Sequence, residues 1–172
     1  LYVTTPQISA QSAAVNVKVT IQNADNSNQS VTVTSSIRDS SGEEVLSLTP
    51  TTQNINAGAS IETEQTGTIQ NPAIWSVDSP NMYSVVTTLS VNGTVVDRYE
   101  ASFGVRSFAF DANTGFSLNG TPMKLNGVCL HHDLGPLGAA VNHRAIEKRL
   151  EMLKEMGANS IRTSHNPPAP EL

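Results

Sequence analysis

Val15-Asn16-Val17-Lys18-Val19-Thr20-Ile21 places a β-branched aliphatic residue at every second position, with a polar residue between each pair. A helix would scatter that pattern around its circumference. An extended chain sends successive side chains to opposite faces, so the stretch reads as a strand with one buried face. Outward from it, Val31 and Val33 alternate with threonines, and Ile37 continues the run after two serines. The same habit marks 43–48, 59–69, 83–91 and 94–103, and a shorter run covers 3–8. Turn residues punctuate these segments: Asn23-Ala24-Asp25-Asn26, Asp39-Ser40-Ser41-Gly42, Asn56-Ala57-Gly58 and Asn92-Gly93. The last of these, between two strands, is a type I′ hairpin signal. About seven short strands without a long helix predict an immunoglobulin-like antiparallel β-sandwich over residues 1–107.

Beyond residue 107 the period changes. Pro122 to Leu130 reads as a strand that turns wholly apolar at Val128-Cys129-Leu130, as parallel buried strands do. A Gly-rich loop at 135–140 follows. Ile146, Leu150, Leu153 and Met156 then recur at helical spacing, with Asn142 as N-cap and Gly157 as C-cap. Ala158 to Thr163 is a further short strand, stopped by Pro167-Pro168. Strand, helix, strand implies a crossover connection and a parallel pair. Residues 108–172 therefore predict an incomplete βαβ start of an α/β barrel, well short of the ~250 residues of a closed one.

The chain has 172 residues, with 10 basic against 15 acidic, a formal net charge of −5. Nucleic acid and anionic membrane surfaces both reward clustered Lys and Arg, so neither is expected as a partner. No apolar run approaches the ~20 residues that cross a bilayer. The single cysteine, Cys129, allows no intrachain disulfide. Leu1-Tyr2-Val3-Thr4-Thr5 has no signal-peptide character and begins like a strand already under way, which suits a fragment; localisation stays open.

The polar residues of the second half are grouped. His131-His132-Asp133 follow the end of the first parallel strand, and Arg162, His165 and Asn166 the end of the second. Consecutive parallel strands usually neighbour one another, so these side chains are expected at one rim, where α/β architectures bind ligands. Blander readings compete. His-His-Asp has metal-ligand chemistry, although adjacent residues on an extended chain point opposite ways. Arg162 could serve a plain salt bridge, and His165 with Asn166 could cap the strand before Pro167.

Asn159-Ser160-Ile161-Arg162-Thr163-Ser164-His165-Asn166-Pro167 resembles the signature that ends the second barrel strand of glycoside hydrolase family 2, the β-galactosidase-like enzymes. Gly115-Phe116-Ser117-Leu118-Asn119-Gly120, Lys124-Leu125-Asn126-Gly127-Val128 and His131-His132-Asp133 resemble that family's first barrel strand and its approach. Trp75-Ser76-Val77-Asp78-Ser79-Pro80-Asn81-Met82-Tyr83 and Phe103-Gly104-Val105-Arg106 resemble the sandwich before it. Many members carry Tyr where Asn166 stands and Pro where Val77 stands.

The resemblance implies a retaining hydrolase of terminal β-galactosides, with β-glucuronide or β-mannoside as alternative sugars. It implies two catalytic glutamates, ~5–5.5 Å apart, on later barrel strands beyond Leu172. This chain would then hold no catalytic residue and be inactive alone. His131 and His165 would donate to sugar hydroxyls, Arg162 would orient the nucleophilic carboxylate, and Asn166 would contact a hydroxyl or tie its own loop. His132 and Asp133 would support them from behind. No cofactor or metal is expected in this chain; the full enzyme leaves room for a divalent or monovalent cation. The partners implied are the glycoside and the rest of the barrel, with self-association through the uncovered barrel strands as a further expectation.

Other residues carry plainer expectations. Glu147, Glu151 and Glu155 read as a solvated helix face. Trp75 reads as sandwich core, His143 as exposed, and Met152/Met156 as helix core facing a sheet. The sequons at Asn28, Asn92 and Asn119 read as turn asparagines. A carbohydrate- or protein-binding immunoglobulin-like module is the rival function, and the block 115–167 argues against it. A spacer that orders the barrel is the role expected of the sandwich itself.

Overall fold

The computed structural model describes residues 1–172. The chain divides into two compact units, Leu1–Ala109 with Ser117–Thr121, and Phe110–Phe116 with Pro122–Leu172. The first unit is an antiparallel sandwich. One sheet has the order β1 (Tyr2–Ile8), β2 (Ser12–Gln22), β6 (Ser60–Gln70). The other runs β4 (Glu44–Ser47), β3 (Gln29–Arg38), β7 (Tyr83–Val91), β8 (Thr94–Phe103), with β5 (Thr51–Ile55) also on β3. The architecture is the expected immunoglobulin-like one.

The alternation seen in the sequence becomes the core directly. Ala13, Val15, Val17, Val19 and Ile21 point inward from β2 and meet Val31, Val33 and Ile37 of β3, Ile69 of β6, and Tyr83 and Val85 of β7. Two serines break the run in β3. The inward one, Ser35, is fully buried and hydrogen-bonds Thr87 at 2.8 Å, so each hydroxyl supplies the other's missing partner. Asn92 and Gly93 both have positive φ, 50° and 79°, as a type I′ turn between β7 and β8 demands.

Strand β5 escaped the pattern, because Thr51-Thr52-Gln53-Asn54-Ile55 holds one aliphatic residue. It continues the edge that β4 begins. Both lie on β3, interrupted where Leu48 buries its side chain and donates its N–H to Ser35. Trp75 differs from expectation too. It is half-buried in the loop between β6 and β7, packed against Gly104, with the Arg106 guanidinium 4.6 Å from its ring centroid. That loop is pinned by the Tyr83 hydroxyl to Ala73, by Trp75 N–H to the Val105 carbonyl, and by Asn119 to the Trp75 carbonyl.

β9 (Phe108–Asp111), β10 (Gly115–Leu118) and β11 (Thr121–Pro122) form a small sheet in the order β11-β10-β9. In the second unit, β12 (Gly127–His131), α1 (His143–Glu155) and β13 (Ser160–Ser164) make the βαβ start of a barrel. The first parallel strand is thus shorter than the expected 122–130. Met123 N–H goes back to the Phe116 carbonyl, and regular pairing with β13 begins only at Gly127. Asn142 caps α1, its Oδ1 accepting from Ala145 N–H at 2.9 Å; Met156 is the C-cap, with Gly157 just beyond at φ +91°. Ile146, Leu150 and Leu153 are half-buried. Met152 and Met156, expected as helix core, are instead 59% and 68% exposed: Met152 lies on the flank of that stripe, and Met156 is the C-cap, past the last helical residue. Glu147 and Glu151 form a solvated face, as expected, with Arg144 as their partner at 2.8 and 2.9 Å.

Candidate functional site

β12 and β13 pair in parallel without a shift, Cys129 opposite Arg162 and His131 opposite Ser164. Their N-terminal ends set this register. Asn159 Oδ1 accepts from Asn126 N–H at 2.8 Å, its Nδ2 donates to the Lys124 carbonyl at 3.0 Å, and its N–H donates to the Asn126 carbonyl at 2.9 Å. Beside this clamp the strands approach so closely that a Cβ on Gly127 would collide with Ser160 Oγ and sit 2.7 Å from the Ser160 carbonyl oxygen. Only glycine fits there.

Strand periodicity then puts Cys129, His131, Arg162 and Ser164 on one face. At the C-terminal mouth the rings of His131 and His165 meet edge to face, centroids 5.6 Å apart. Arg162 ties the group together. Its Nη1 donates to Ser164 Oγ at 3.1 Å and approaches Cys129 Sγ at 3.7 Å, while Nη2 lies 3.3 Å from His165 Nδ1. Arginine has no acceptor, so Nδ1 accepts, and a neutral His165 carries its proton on Nε2. That nitrogen is left to donate outward. Ser164 is the only buried residue of the second unit, at 6% exposure, and its hydroxyl together with the Arg162 guanidinium draws the Cys129 thiol below its ordinary pKa.

The predicted residues therefore divide. His131, Arg162 and His165 gather at one mouth. His132, Asp133 and Asn166 line a cleft that also takes in His131 and Ser164, along with Leu130, Ile146 and Pro167. Asp133 closes its own turn, Oδ1 accepting from Gly135 N–H at 2.8 Å. No group of three His, Cys, Asp or Glu side chains in the chain is arranged to hold a metal ion. The peptide between Ser164 and His165 is cis.

Sequence reasoning missed three residues of this region. Asn159, quoted as part of the motif, sets the register. Ser164 bridges arginine and thiol. Arg149 of α1 donates to the carbonyls of His131, at 3.3 Å, and of Asp133. It stands three residues after Ile146, and a cation inside a sheet-facing stripe was the signal available for it. Chemically the mouth is a cluster of hydrogen-bond donors around a fixed positive charge. It suits hydroxyls and an anionic group.

The first residues, 1–106, match the family model of glycosyl hydrolases family 2, and 112–172 match that family's TIM barrel domain. A β-galactosidase of Bacteroides ovatus is 48% identical over 99% of this chain, which covers 20% of that protein. A protein of Formosa agariphila named putative β-glucuronidase is 33% identical over the whole chain, again 20% of its length. Among solved structures, a family 2 member from Bacteroides cellulosilyticus superposes with a TM-score of 0.89 at 37% identity, over 99% of this chain and 23% of that one. The chain spans about a fifth of the length of the curated relatives it matches. With both its sandwich and its parallel pair accounted for in this way, the chain belongs to glycoside hydrolase family 2.

Proposed function

We propose that this chain is the immunoglobulin-like sandwich and the opening β-α-β of a retaining hydrolase of terminal β-galactosides, with the two catalytic glutamates carried on other strands of the whole enzyme. His131 and His165 donate to hydroxyls of the sugar at the cleavage subsite. Arg162 keeps the nucleophilic carboxylate ionised and oriented through charge-assisted hydrogen bonds. Asn166 contacts a hydroxyl or steadies its own loop, and His132 and Asp133 support the mouth from behind. The observation that carries this reading is the parallel register that sets His131 opposite Ser164 and leaves the two imidazoles 5.6 Å apart. The Bacteroides ovatus relative favours galactoside.

β-Glucuronide is the second sugar, favoured by the Formosa agariphila relative and by the cationic Arg162 at the mouth. The test is turnover of nitrophenyl-β-galactoside against nitrophenyl-β-glucuronide by the complete enzyme, wild type and with His165→Ala. Galactoside preference and a fall in kcat/KM of about a hundredfold support the reading. Robust hydrolysis by the 172-residue chain alone, surviving repurification, overturns it.

A further inference from the structure

We propose that Arg149 is a positioning residue for the sugar-contacting mouth: from α1 it grips the two backbone carbonyls that flank His132, and so aims the His131 imidazole at His165. The proposal rests on the reading of His131 as a sugar contact.

Pairing of β12 with β13 ends at His131, so the backbone groups just past it need other partners. The His131 carbonyl accepts from Asp133 N–H at 2.8 Å and from Arg149 Nη1 at 3.3 Å, filling both lone pairs. The Asp133 carbonyl accepts from Arg149 Nη2. Asp133 Oδ1 accepts from Gly135 N–H and Leu134 N–H donates to the Gly138 carbonyl, two bonds that tie the turn down beyond these two carbonyls. One planar fork thus spans two carbonyls two residues apart, a geometry that a lysine ammonium cannot reproduce. It fixes the peptide plane leaving His131 and so steadies the backbone from which the ring projects.

Two further facts separate this grip from ordinary surface charge. Arg149 is half-buried within the stripe of Ile146, Leu150 and Leu153. The ion pairs of α1 run through Arg144 instead, to Glu147 and Glu151.

The experiment has two arms. By NMR on the 172-residue chain, Arg149→Ala and Arg149→Lys are expected to keep the cross-strand NOEs of Cys129 with Arg162 and to abolish the ring–ring NOEs of His131 with His165. Added guanidinium ion, and not ammonium, restores those ring NOEs in Arg149→Ala. Ring NOEs that persist in both variants overturn the proposal, and Arg149→Lys keeps the test open should Arg149→Ala fail to fold. In the complete enzyme, Arg149→Ala is expected to lower kcat by about a hundredfold, Arg149→Lys by about tenfold, and KM to move less than either. Separation of the two rings with kcat unchanged would overturn the sugar role of His131 while leaving the grip on its backbone standing.

Discussion

Every fully buried aliphatic or aromatic side chain of the molecule lies between Ala13 and Val105, in the sandwich, whereas the one buried residue of the β-α-β unit is a serine. Both units place apolar residues with the correct period. In the sandwich, two sheets from one stretch of chain face each other, and the apolar faces of β2, β3 and β7 find partners. The second unit has a single helix for a two-stranded parallel pair. One face of that pair carries Cys129, His131, Arg162 and Ser164, held by hydrogen bonds rather than by packing. Burial is what stabilises the first unit, and register and polar clamps are what shape the second.

The sharpest way to test that contrast is to remove a core side chain from each unit. Ile37→Ala leaves a cavity at a fully buried position, and chemical denaturation is expected to show a loss of about 2–5 kcal/mol. Leu150→Ala, at a half-buried position of α1, is expected to cost about 1 kcal/mol. Equal losses would mean that the two units share one cooperative core. Amide exchange provides the same comparison residue by residue: amides of β2, β3 and β7 outlast those of β12 and β13.

Gly127→Ala attacks the second unit where it depends most on shape. The new methyl meets the Ser160 carbonyl oxygen, which is backbone and cannot swing away. The expected cost is about 1–3 kcal/mol, confined to the β12–β13 pair, with the edge-to-face pairing of His131 and His165 broken and the sandwich transition unmoved. An unshifted β12–β13 register in this variant, read from cross-strand NOEs, would show that the close approach is incidental.

These differences also mark what the sequence made legible. Strands β2, β3 and β7 were readable because each buries one face against a second sheet, which leaves a period of two in the residues. β5 was not, since it hangs on the edge of β3 and buries only Ile55. The mouth was foreseen in its three charged or imidazole members, because a parallel crossover alone brings strand ends together. Asn159 and Arg149 were not assigned, because both act through backbone carbonyls and amides, and backbone partners leave no trace in residue type. Met152 and Met156 were misplaced because hydrophobicity at near-helical spacing shows neither the flank of a buried stripe nor the point where the helix ends.

Asn142→Ala is a smaller perturbation of the second unit. It removes the acceptor for Ala145 N–H at the start of α1, and about 1 kcal/mol of local helix stability is expected to go with it. Faster exchange in the first turn of α1, with β2 and β3 unchanged, is the expected readout. Protection that falls equally in the sandwich would contradict the division into two units.

The finest probe is the thiol. Cys129 is exposed, and its hydrogen bonds from Ser164 and Arg162 favour the thiolate, so its pKa in the folded chain lies below that of a free cysteine. Alkylation proceeds through the thiolate, and its rate against pH therefore rises at lower pH in the folded chain than in the denatured one. Ser164→Ala removes one hydrogen bond to the sulfur, and Arg162→Gln removes a positive charge beside it, so both shift the profile toward higher pH. A strand held by packing would report only exposure at this position, whereas one shaped by a polar cluster reports which members of the cluster are present; identical profiles for the wild type and both variants would place Cys129 outside the cluster that joins the two strand ends.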